Sequence, residues 1–218
     1  MKRLITLLVC LLTLCSCSKD INVADGKYTG ESFIVDYGNP DNNNYDTVFI
    51  GDSITVGLYD SADLGGARVL AKVGITTSGM YSMLSEAYGD ILDENVNKAI
   101  INLGTNDVLI NTNDTYKQLI DFVTEKSPKA QVFVALIHYP NQNSFYAQNN
   151  NKTTTDEKNE QLKELKGYKG AKLLDELQTP PFRDTLTDDT MTADDGLHLS
   201  DSAYKQWCYE LKKNKIIK

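Results

Sequence analysis

The amino-acid sequence predicts an α/β fold: a three-layer α/β/α sandwich built on a parallel β-sheet of about five strands. Two observations lead to this prediction. Short runs of consecutive apolar residues recur from residue 46 onward, and amphipathic, helix-like segments separate them. Strands that are apolar along their whole length are typical of parallel sheets that helices cover on both faces. Right-handed crossover connections between such strands then produce three layers.

The apolar runs predicted to be strands are residues 47–50, 68–71, 99–103, 131–137 and 171–174. A first helix is expected to begin at Ser53, directly after the first strand and a glycine turn. Amphipathic patterning predicts the later helices at residues 79–92, 114–126, 156–167 and 200–213. Asp114 and Ser200 are the expected N-caps of two of these helices, because short polar side chains accept hydrogen bonds from free backbone N–H groups.

The N-terminus has the features of an export signal. Lys2 and Arg3 precede an apolar run over residues 4–14, which is too short to span a bilayer. The sequence Leu14-Cys15-Ser16-Cys17 resembles a bacterial lipobox, with a small residue before the cysteine that receives the lipid. We therefore expect a lipoprotein signal peptide over residues 1–16 and lipidation of Cys17.

Lipidation of Cys17 would make the protein an extracytoplasmic, membrane-anchored bacterial lipoprotein, at the cell surface or in a periplasm. The alternative is an ordinary signal peptide cleaved nearby, with Cys17 free or removed. Residues 17–45 are polar and rich in turn formers, so they are interpreted as the attachment cysteine and a flexible tether. Residues 46–218 are long enough for one domain with a sizeable core.

Charge restricts the partners. The chain has 30 acidic and 22 basic residues and a formal net charge of −8 at pH 7. No nucleic-acid partner is expected for a chain this acidic without a basic stripe. Anionic lipid head groups would also repel it, so membrane attachment depends on the lipid at Cys17. The chain has no glycine-rich phosphate loop, which argues against a nucleotide-binding domain.

Three polar motifs follow predicted strands or precede the last predicted helix: Gly51-Asp52-Ser53, Gly104-Thr105-Asn106-Asp107 and Asp195-Gly196-Leu197-His198. Sites in parallel sheets form beyond the carboxyl ends of the strands, so these motifs can meet at one edge. Together they supply a hydroxyl, an amide, an imidazole and a carboxylate.

These groups suit nucleophilic catalysis. A serine hydroxyl such as that of Ser53 needs an adjacent base, and His198 has the side chain most often used for that purpose. A carboxylate three residues away, at Asp195, can fix the tautomer of the imidazole. The N–H of Ser53 at a helix N-terminus and the amide of Asn106 can stabilise an oxyanion.

The three motifs, in this order, resemble the GDSL/SGNH hydrolase family of lipases, acylhydrolases and esterases. The resemblance runs from residue 47 to about residue 211. It implies the SGNH hydrolase fold with a flavodoxin-like parallel sheet, and a triad of Ser53 as nucleophile, His198 as base and Asp195 as its orienting acid. It also implies oxyanion donors from the Ser53 N–H, a glycine N–H and Asn106, with no metal and no cofactor.

The glycine of the oxyanion hole is less clearly marked, because the segment Ala71–Gly79 departs from the commonest family pattern. Gly74, directly after the second strand, is our assignment, and Gly79 is the alternative. Asp194 likewise competes with Asp195 as the partner of His198, although spacing favours Asp195. Asp52 and Asp107 are expected to brace loops.

The function expected from these residues is a serine esterase, or acylhydrolase, that cleaves carboxylic esters through an acyl-enzyme intermediate. Its expected substrate is a small-molecule or glycan ester carrying an acetyl or short acyl group. Three alternatives remain: glycan O-acyltransfer at the same site, lysophospholipase activity, and a non-catalytic surface glycan-binding lipoprotein. The aromatic residues Tyr139, Phe145 and Tyr146, in or next to the polar segment 141–151, are candidates for stacking on a sugar ring.

Overall fold

A mixed β-sheet of six strands lies between two layers of helices in the computed structural model, which describes residues 32–38 and 46–218. The strands are β1 Phe33–Asp36, β2 Thr47–Gly51, β3 Arg68–Lys72, β4 Lys98–Asn102, β5 Gln131–Ala135 and β6 Lys172–Leu174. The helices are α1 Ser53–Ser61, α2 Thr77–Met83, α3 Asn113–Lys126, α4 Lys152–Lys163 and α5 Asp201–Lys213. The predicted signal peptide and Cys17 lie outside the described residues.

The strand order is β1-β3-β2-β4-β5-β6, and every neighbouring pair from β3 to β6 is parallel. Without β1, this is the 2-1-3-4-5 order of flavodoxin-like sheets. The predicted three-layer sandwich with five parallel strands is therefore confirmed. β5 ends at Ala135, two residues before the end of the predicted apolar run.

The sixth strand lies where the sequence indicates a short hairpin only weakly, around residues 27–35. β1 pairs antiparallel with β3 at the edge of the sheet, in the register Phe33 opposite Lys72. It lies within the segment 17–45 that was interpreted as a tether, so the folded unit begins before residue 46. The prediction is wrong for these four residues because β1 is a short, half-buried edge strand, and such strands have only weak apolar patterning.

Alternation along the strands directs side chains into two cores. On one face, β-strand residues such as Ile50 and Ile101 pack with Tyr116 and Leu119 of α3. On the other face, Phe49 and other strand residues pack against α1 and α5, where Trp207 is fully buried. Each core covers one side of the sheet, so the catalytic motifs can be exposed only at the strand ends.

Helix boundaries differ from the predictions in ways that capping explains. Ser200 caps α5 as expected, since its side chain accepts from the N–H of Ala203. Asp114 is not an N-cap, because α3 begins at Asn113, whose N–H donates to the side chain of Asn111. The helix α4 begins at Lys152 rather than 156, since Asn151 forms a capping box with Thr154.

Among the described helices, none is both long and apolar enough to cross a membrane.

Candidate active site

The turn between β2 and α1 places Ser53 at the first position of a helix. Gly51 is required there because a Cβ atom would lie 1.9 Å from Thr55 Oγ1 and 2.8 Å from the carbonyl oxygen of Asn102. This close approach lets the chain turn directly from the strand into the helix. Ser53 is largely buried, and the helix N-terminus orients partial positive charge towards its backbone N–H.

Asp52 caps the helix that begins at Ser53. Its Oδ1 atom accepts from the N–H of Ile54 at 3.0 Å, and the side chain is fully buried. Burial raises the pKa of Asp52 to about 6, although the Ile54 N–H and the nearby Thr105 favour the ionised form. Asp52 therefore braces the turn that carries Ser53, as the sequence predicted.

The loop after β4 holds Asn106 at the same edge of the sheet. The Asn106 side chain is exposed, and its Nδ2 donates to the carbonyl oxygen of Ile75 at 3.0 Å. An amide nitrogen carries two hydrogens, so one remains for a substrate oxygen. This hydrogen bond ties Asn106 to the turn that carries Gly74.

Gly74 and Gly79 differ in how their N–H groups are placed. Gly79 lies inside α2, and its N–H donates to Thr76 Oγ1 as part of the helix cap. Gly74 is exposed, lies in the turn directly after β3, and has a φ of 73°, which glycine adopts without strain. The geometry thus favours Gly74 over Gly79 as the oxyanion donor.

A buried ion pair supports the Asn106 loop from below. Asp107 Oδ2 accepts from the N–H of Thr77 at 2.8 Å, and its Oδ1 lies 3.6 Å from Lys158 Nζ. Lys158 also donates to the carbonyl oxygen of Ile110 at 2.7 Å and to Thr112 Oγ1 at 3.0 Å. Asp107 therefore braces its loop, as expected.

Lys158 was missed by the sequence analysis. It lies on the buried side of α4 together with Thr155 and Leu162, at helical spacing, and its side chain is 0% exposed. A lysine within an inward-facing stripe was the available signal, since lysine is almost never fully buried without a partner.

His198 pairs with Asp195 in the loop before α5. His198 Nδ1 lies 2.5 Å from Asp195 Oδ2, while Asp195 Oδ1 accepts from the N–H groups of Leu197 and His198 at 2.9 and 3.0 Å. Partial burial opposes ionisation of Asp195, but these hydrogen bonds together hold its pKa below the usual value. Asp194 is exposed, so Asp195 is the acid that orients His198.

This pairing determines which imidazole nitrogen can accept a proton. In neutral His198, Nδ1 carries the hydrogen that it donates to Asp195. The lone pair is then on Nε2, as a general base requires. Ser53 Oγ and His198 Nε2 share no hydrogen bond among the described residues, and such contacts often tighten only with substrate bound.

Tyr204 of α5 links the two parts of the proposed triad. A Cβ atom on Gly57 of α1 would lie 2.3 Å from the Tyr204 hydroxyl, so the two helices approach closely there. Burial raises the pKa of Tyr204, and the charges of Asp52 and Asp195 raise it further. Tyr204 therefore lies where α1, which begins at Ser53, packs against α5, which follows the Asp195 loop.

His138 follows β5 and is also buried. Its Nε2 lies 2.6 Å from the carbonyl oxygen of Leu197, between Asp195 and His198 in the chain. A carbonyl can only accept, so Nε2 carries the hydrogen. Burial lowers the pKa of His138 to about 4, which keeps it neutral near pH 7. His138 therefore fixes the loop that bears the histidine–aspartate pair.

Comparisons with known proteins show the family and the fold of the chain. The family described as GDSL-like Lipase/Acylhydrolase matches residues 49–206 of the chain. A GDSL-like lipase from Bacteroides thetaiotaomicron is 17% identical, with a TM-score of 0.57 over 77% of this chain and 86% of that one. A lipase/acylhydrolase from Enterococcus faecalis is 21% identical, with a TM-score of 0.55 over 77% of this chain and 95% of that one.

An acetylxylan esterase from Geobacillus stearothermophilus is 17% identical, with a TM-score of 0.55 over 77% of this chain and 92% of that one. These likenesses show a shared fold. No curated protein sequence matches the chain.

Proposed function

Because this chain belongs to the GDSL-like lipase/acylhydrolase family, we propose that it is a serine esterase that hydrolyses carboxylic esters with Ser53, His198 and Asp195. The observation that carries the proposal is the hydrogen bond between His198 Nδ1 and Asp195 Oδ2, at 2.5 Å. It leaves Nε2 as the basic atom of the imidazole, in the loop before α5, and α5 packs against the helix that begins at Ser53.

Acylation begins when Ser53 Oγ forms a bond to the ester carbonyl carbon and its proton passes to His198 Nε2. The carbonyl π electrons move to oxygen, and the oxyanion accepts hydrogen bonds from the N–H groups of Ser53 and Gly74 and from Asn106 Nδ2. Collapse of this intermediate breaks the bond to the alcohol oxygen, and the alcohol leaves with the proton from His198.

Deacylation repeats these steps with water. His198 takes a proton from water, whose oxygen bonds to the acyl carbon of the Ser53 ester. Collapse then releases the carboxylic acid and returns the proton to Ser53 Oγ. One ester and one water give one acid and one alcohol, so the cycle uses no metal and no cofactor.

Acetyl or short acyl esters on a carbohydrate are the proposed substrates. The two connections next to the site, residues 136–151 between β5 and α4 and residues 175–200 between β6 and α5, contain short 3-10 turns rather than an added α-helix. An acetylxylan esterase is among the proteins that share this fold. Acyl transfer to a sugar hydroxyl at the same site, lysophospholipid hydrolysis and glycan binding without turnover are the competing activities.

The proposed location is a membrane surface outside the cytoplasm, with the lipid on Cys17. Its support is the sequence Leu14-Cys15-Ser16-Cys17 after a short apolar run. Cells that make the full-length chain should incorporate labelled palmitate into it. Cys17→Ala should abolish incorporation, whereas the matched control Cys208→Ala should not. Label retained in Cys17→Ala would contradict the anchor.

The enzymatic proposal is tested with p-nitrophenyl acetate, butyrate and octanoate and with fluorophosphonate labelling. Ser53→Ala should abolish labelling and lower kcat by about 10⁴-fold or more. The matched control Ser85→Ala changes an exposed serine outside the site and should leave both unchanged. A folded wild-type protein with neither turnover nor labelling would overturn the esterase. Formation of acetylated sugar instead of acetate would indicate the transferase.

A further inference from the structure

Exposed apolar side chains are concentrated beside Asn106. Among the described residues, seven large hydrophobic side chains are exposed, and four of them line one groove. These four are Leu109, Ile110, Phe145 and Tyr146, with exposed fractions of 66%, 60%, 80% and 43%. Exposed apolar clusters of this kind mark binding sites, whereas single exposed hydrophobic residues need no explanation.

The groove borders the candidate active site at Asn106. It has a volume of about 340 Å³, and Asn106 and Leu197 contribute to its lining. Asn106 is the proposed oxyanion donor, and Leu197 directly precedes His198. A group bound in the groove would therefore be adjacent to the bond that is cleaved, and the volume is within the range of ligand pockets.

The loop that carries the aromatic residues is held at both ends by catalytic loops. Asn141 donates its N–H to the carbonyl oxygen of Gly196 at 2.7 Å. At the other end, Asn150 Nδ2 donates to the carbonyl oxygen of Thr105 at 3.2 Å. Gly196 lies between Asp195 and His198, so the groove wall is fixed relative to the triad.

The chemistry of the lining indicates the ligand. Phe145 and Tyr146 form an edge-to-face pair with ring centroids 5.9 Å apart, and the amides of Gln148 and Asn149 are exposed beside them. The only charged residue that lines the groove is Asp107, which is buried against Lys158. Aromatic faces with neutral amides suit a ring that has apolar faces and hydroxyl groups, and they do not neutralise an anion.

We propose that this groove binds an uncharged sugar ring that carries the scissile acyl ester. The Phe145–Tyr146 pair forms the surface on which the ring stacks, and the side-chain amides of Gln148 and Asn149 donate hydrogen bonds to the oxygen atoms of its substituents. Tyr139, the third aromatic candidate, is excluded because it is buried and donates to Asp156. The proposal rests on the esterase function and names its substrate class.

The test compares two acetyl esters in a pH-stat: glucose pentaacetate, which can fill the groove, and ethyl acetate, which is too small to reach it. Phe145→Ala should lower kcat/KM for glucose pentaacetate about tenfold more than for ethyl acetate, mainly through KM. The matched control Tyr209→Ala removes an aromatic ring that is 58% exposed on α5, outside the groove, and should change neither value. Wild-type protein should also prefer glucose pentaacetate to tetra-O-acetylglucuronic acid.

Equal losses for both esters in Phe145→Ala, or a preference for the glucuronic acid ester, would overturn the proposal. A larger loss with p-nitrophenyl octanoate than with glucose pentaacetate would overturn it in favour of an acyl-chain site. Failure of the esterase itself would appear separately, as an absence of Ser53-dependent ethyl acetate hydrolysis. In that case, NMR titration of Ser53→Ala with glucose pentaacetate tests the sugar-binding groove without turnover. Binding that the additional substitution Phe145→Ala weakens would support sugar binding in the groove, and the absence of binding would refute it.

Discussion

The buried pair of Asp107 and Lys158 allows a quantitative prediction. Both side chains are almost completely buried, with exposed fractions of 3% and 0%. Lys158→Met would keep most of the side-chain volume but remove the ammonium group. Asp107 would then be a buried carboxylate whose only remaining hydrogen bond is the one from the N–H of Thr77.

Removing one partner of a buried ion pair costs about 3–5 kcal/mol, because the remaining charge loses its compensation. The carbonyl oxygen of Ile110 and the hydroxyl of Thr112 would also lose their donor. For a domain of this size, a loss of this magnitude lowers Tm by roughly 10 °C. Asp107→Asn in the same chain should restore part of the stability, because the double variant has no uncompensated charge.

Urea unfolding followed by tryptophan fluorescence measures these changes, since Trp207 is the single tryptophan and is fully buried. The Asp107→Asn and Lys158→Met variants and their double variant form a cycle that isolates the pair's interaction. A loss below about 1 kcal/mol for Lys158→Met, or additive effects across the cycle, would refute the reasoning. Below the Tm of the variant, displacement of the Asn106 loop should also lower kcat about 10- to 100-fold.

Three further predictions concern single residues at the site. With p-nitrophenyl acetate as substrate, Asn106→Ala should lower kcat about 10²–10³-fold with little change in KM, because the oxyanion loses one hydrogen-bond donor. An unchanged kcat would exclude Asn106 from the oxyanion hole. His138→Phe leaves the carbonyl of Leu197 without its donor and should lower kcat about tenfold. His138→Gln retains an N–H donor and should recover much of this loss. Equal losses of kcat in the two variants would contradict the positioning role of His138. The pKa of Asp52 is about 6 in the folded protein, against an ordinary value of 3.8. Between these two pH values the folded state binds more protons than the unfolded state. The free energy of unfolding of the wild type therefore falls as pH rises from 3.8 to 6, by about 3 kcal/mol in total. Asp52→Asn lacks this loss, so its stability relative to wild type should increase from pH 4 to pH 7 in urea unfolding, and a constant difference would refute the assignment.

The five parallel strands could be predicted from the sequence because each is buried on both faces and is therefore continuously apolar. The positions of the three motifs were predictable for a related reason: two follow recognisable strands directly, and the third lies in the loop before the last helix. β1 was only weakly indicated, because a short, half-buried edge strand has little apolar patterning.

Lys158 and His138 illustrate a second limit. Each acts through a backbone carbonyl or a side chain far away in the sequence: Lys158 Nζ contacts Asp107, and His138 Nε2 contacts Leu197. Partner identity is a property of the folded chain, so the local sequence does not show what either side chain contacts, although the inward-facing stripe of α4 was a signal that Lys158 is buried. The choice between Gly74 and Gly79 was open for the same reason, since it depends on which N–H the cap of α2 uses.

The antiparallel direction of β1 determines where the preceding chain leaves the folded unit. Phe33, its first residue, lies opposite Lys72 at the carboxyl end of β3, and Ser32 accepts a hydrogen bond from the N–H of Val73. The chain that leads back to Cys17 therefore leaves the folded unit beside Gly74. This is the edge of the sheet, at the carboxyl ends of the parallel strands, where the candidate catalytic residues also lie. Sixteen residue steps separate Cys17 from Phe33, which limits their separation to roughly 55 Å. With a lipid on Cys17, the opening of the site would remain within that distance of the bilayer and would sample glycans close to the membrane rather than distant ones.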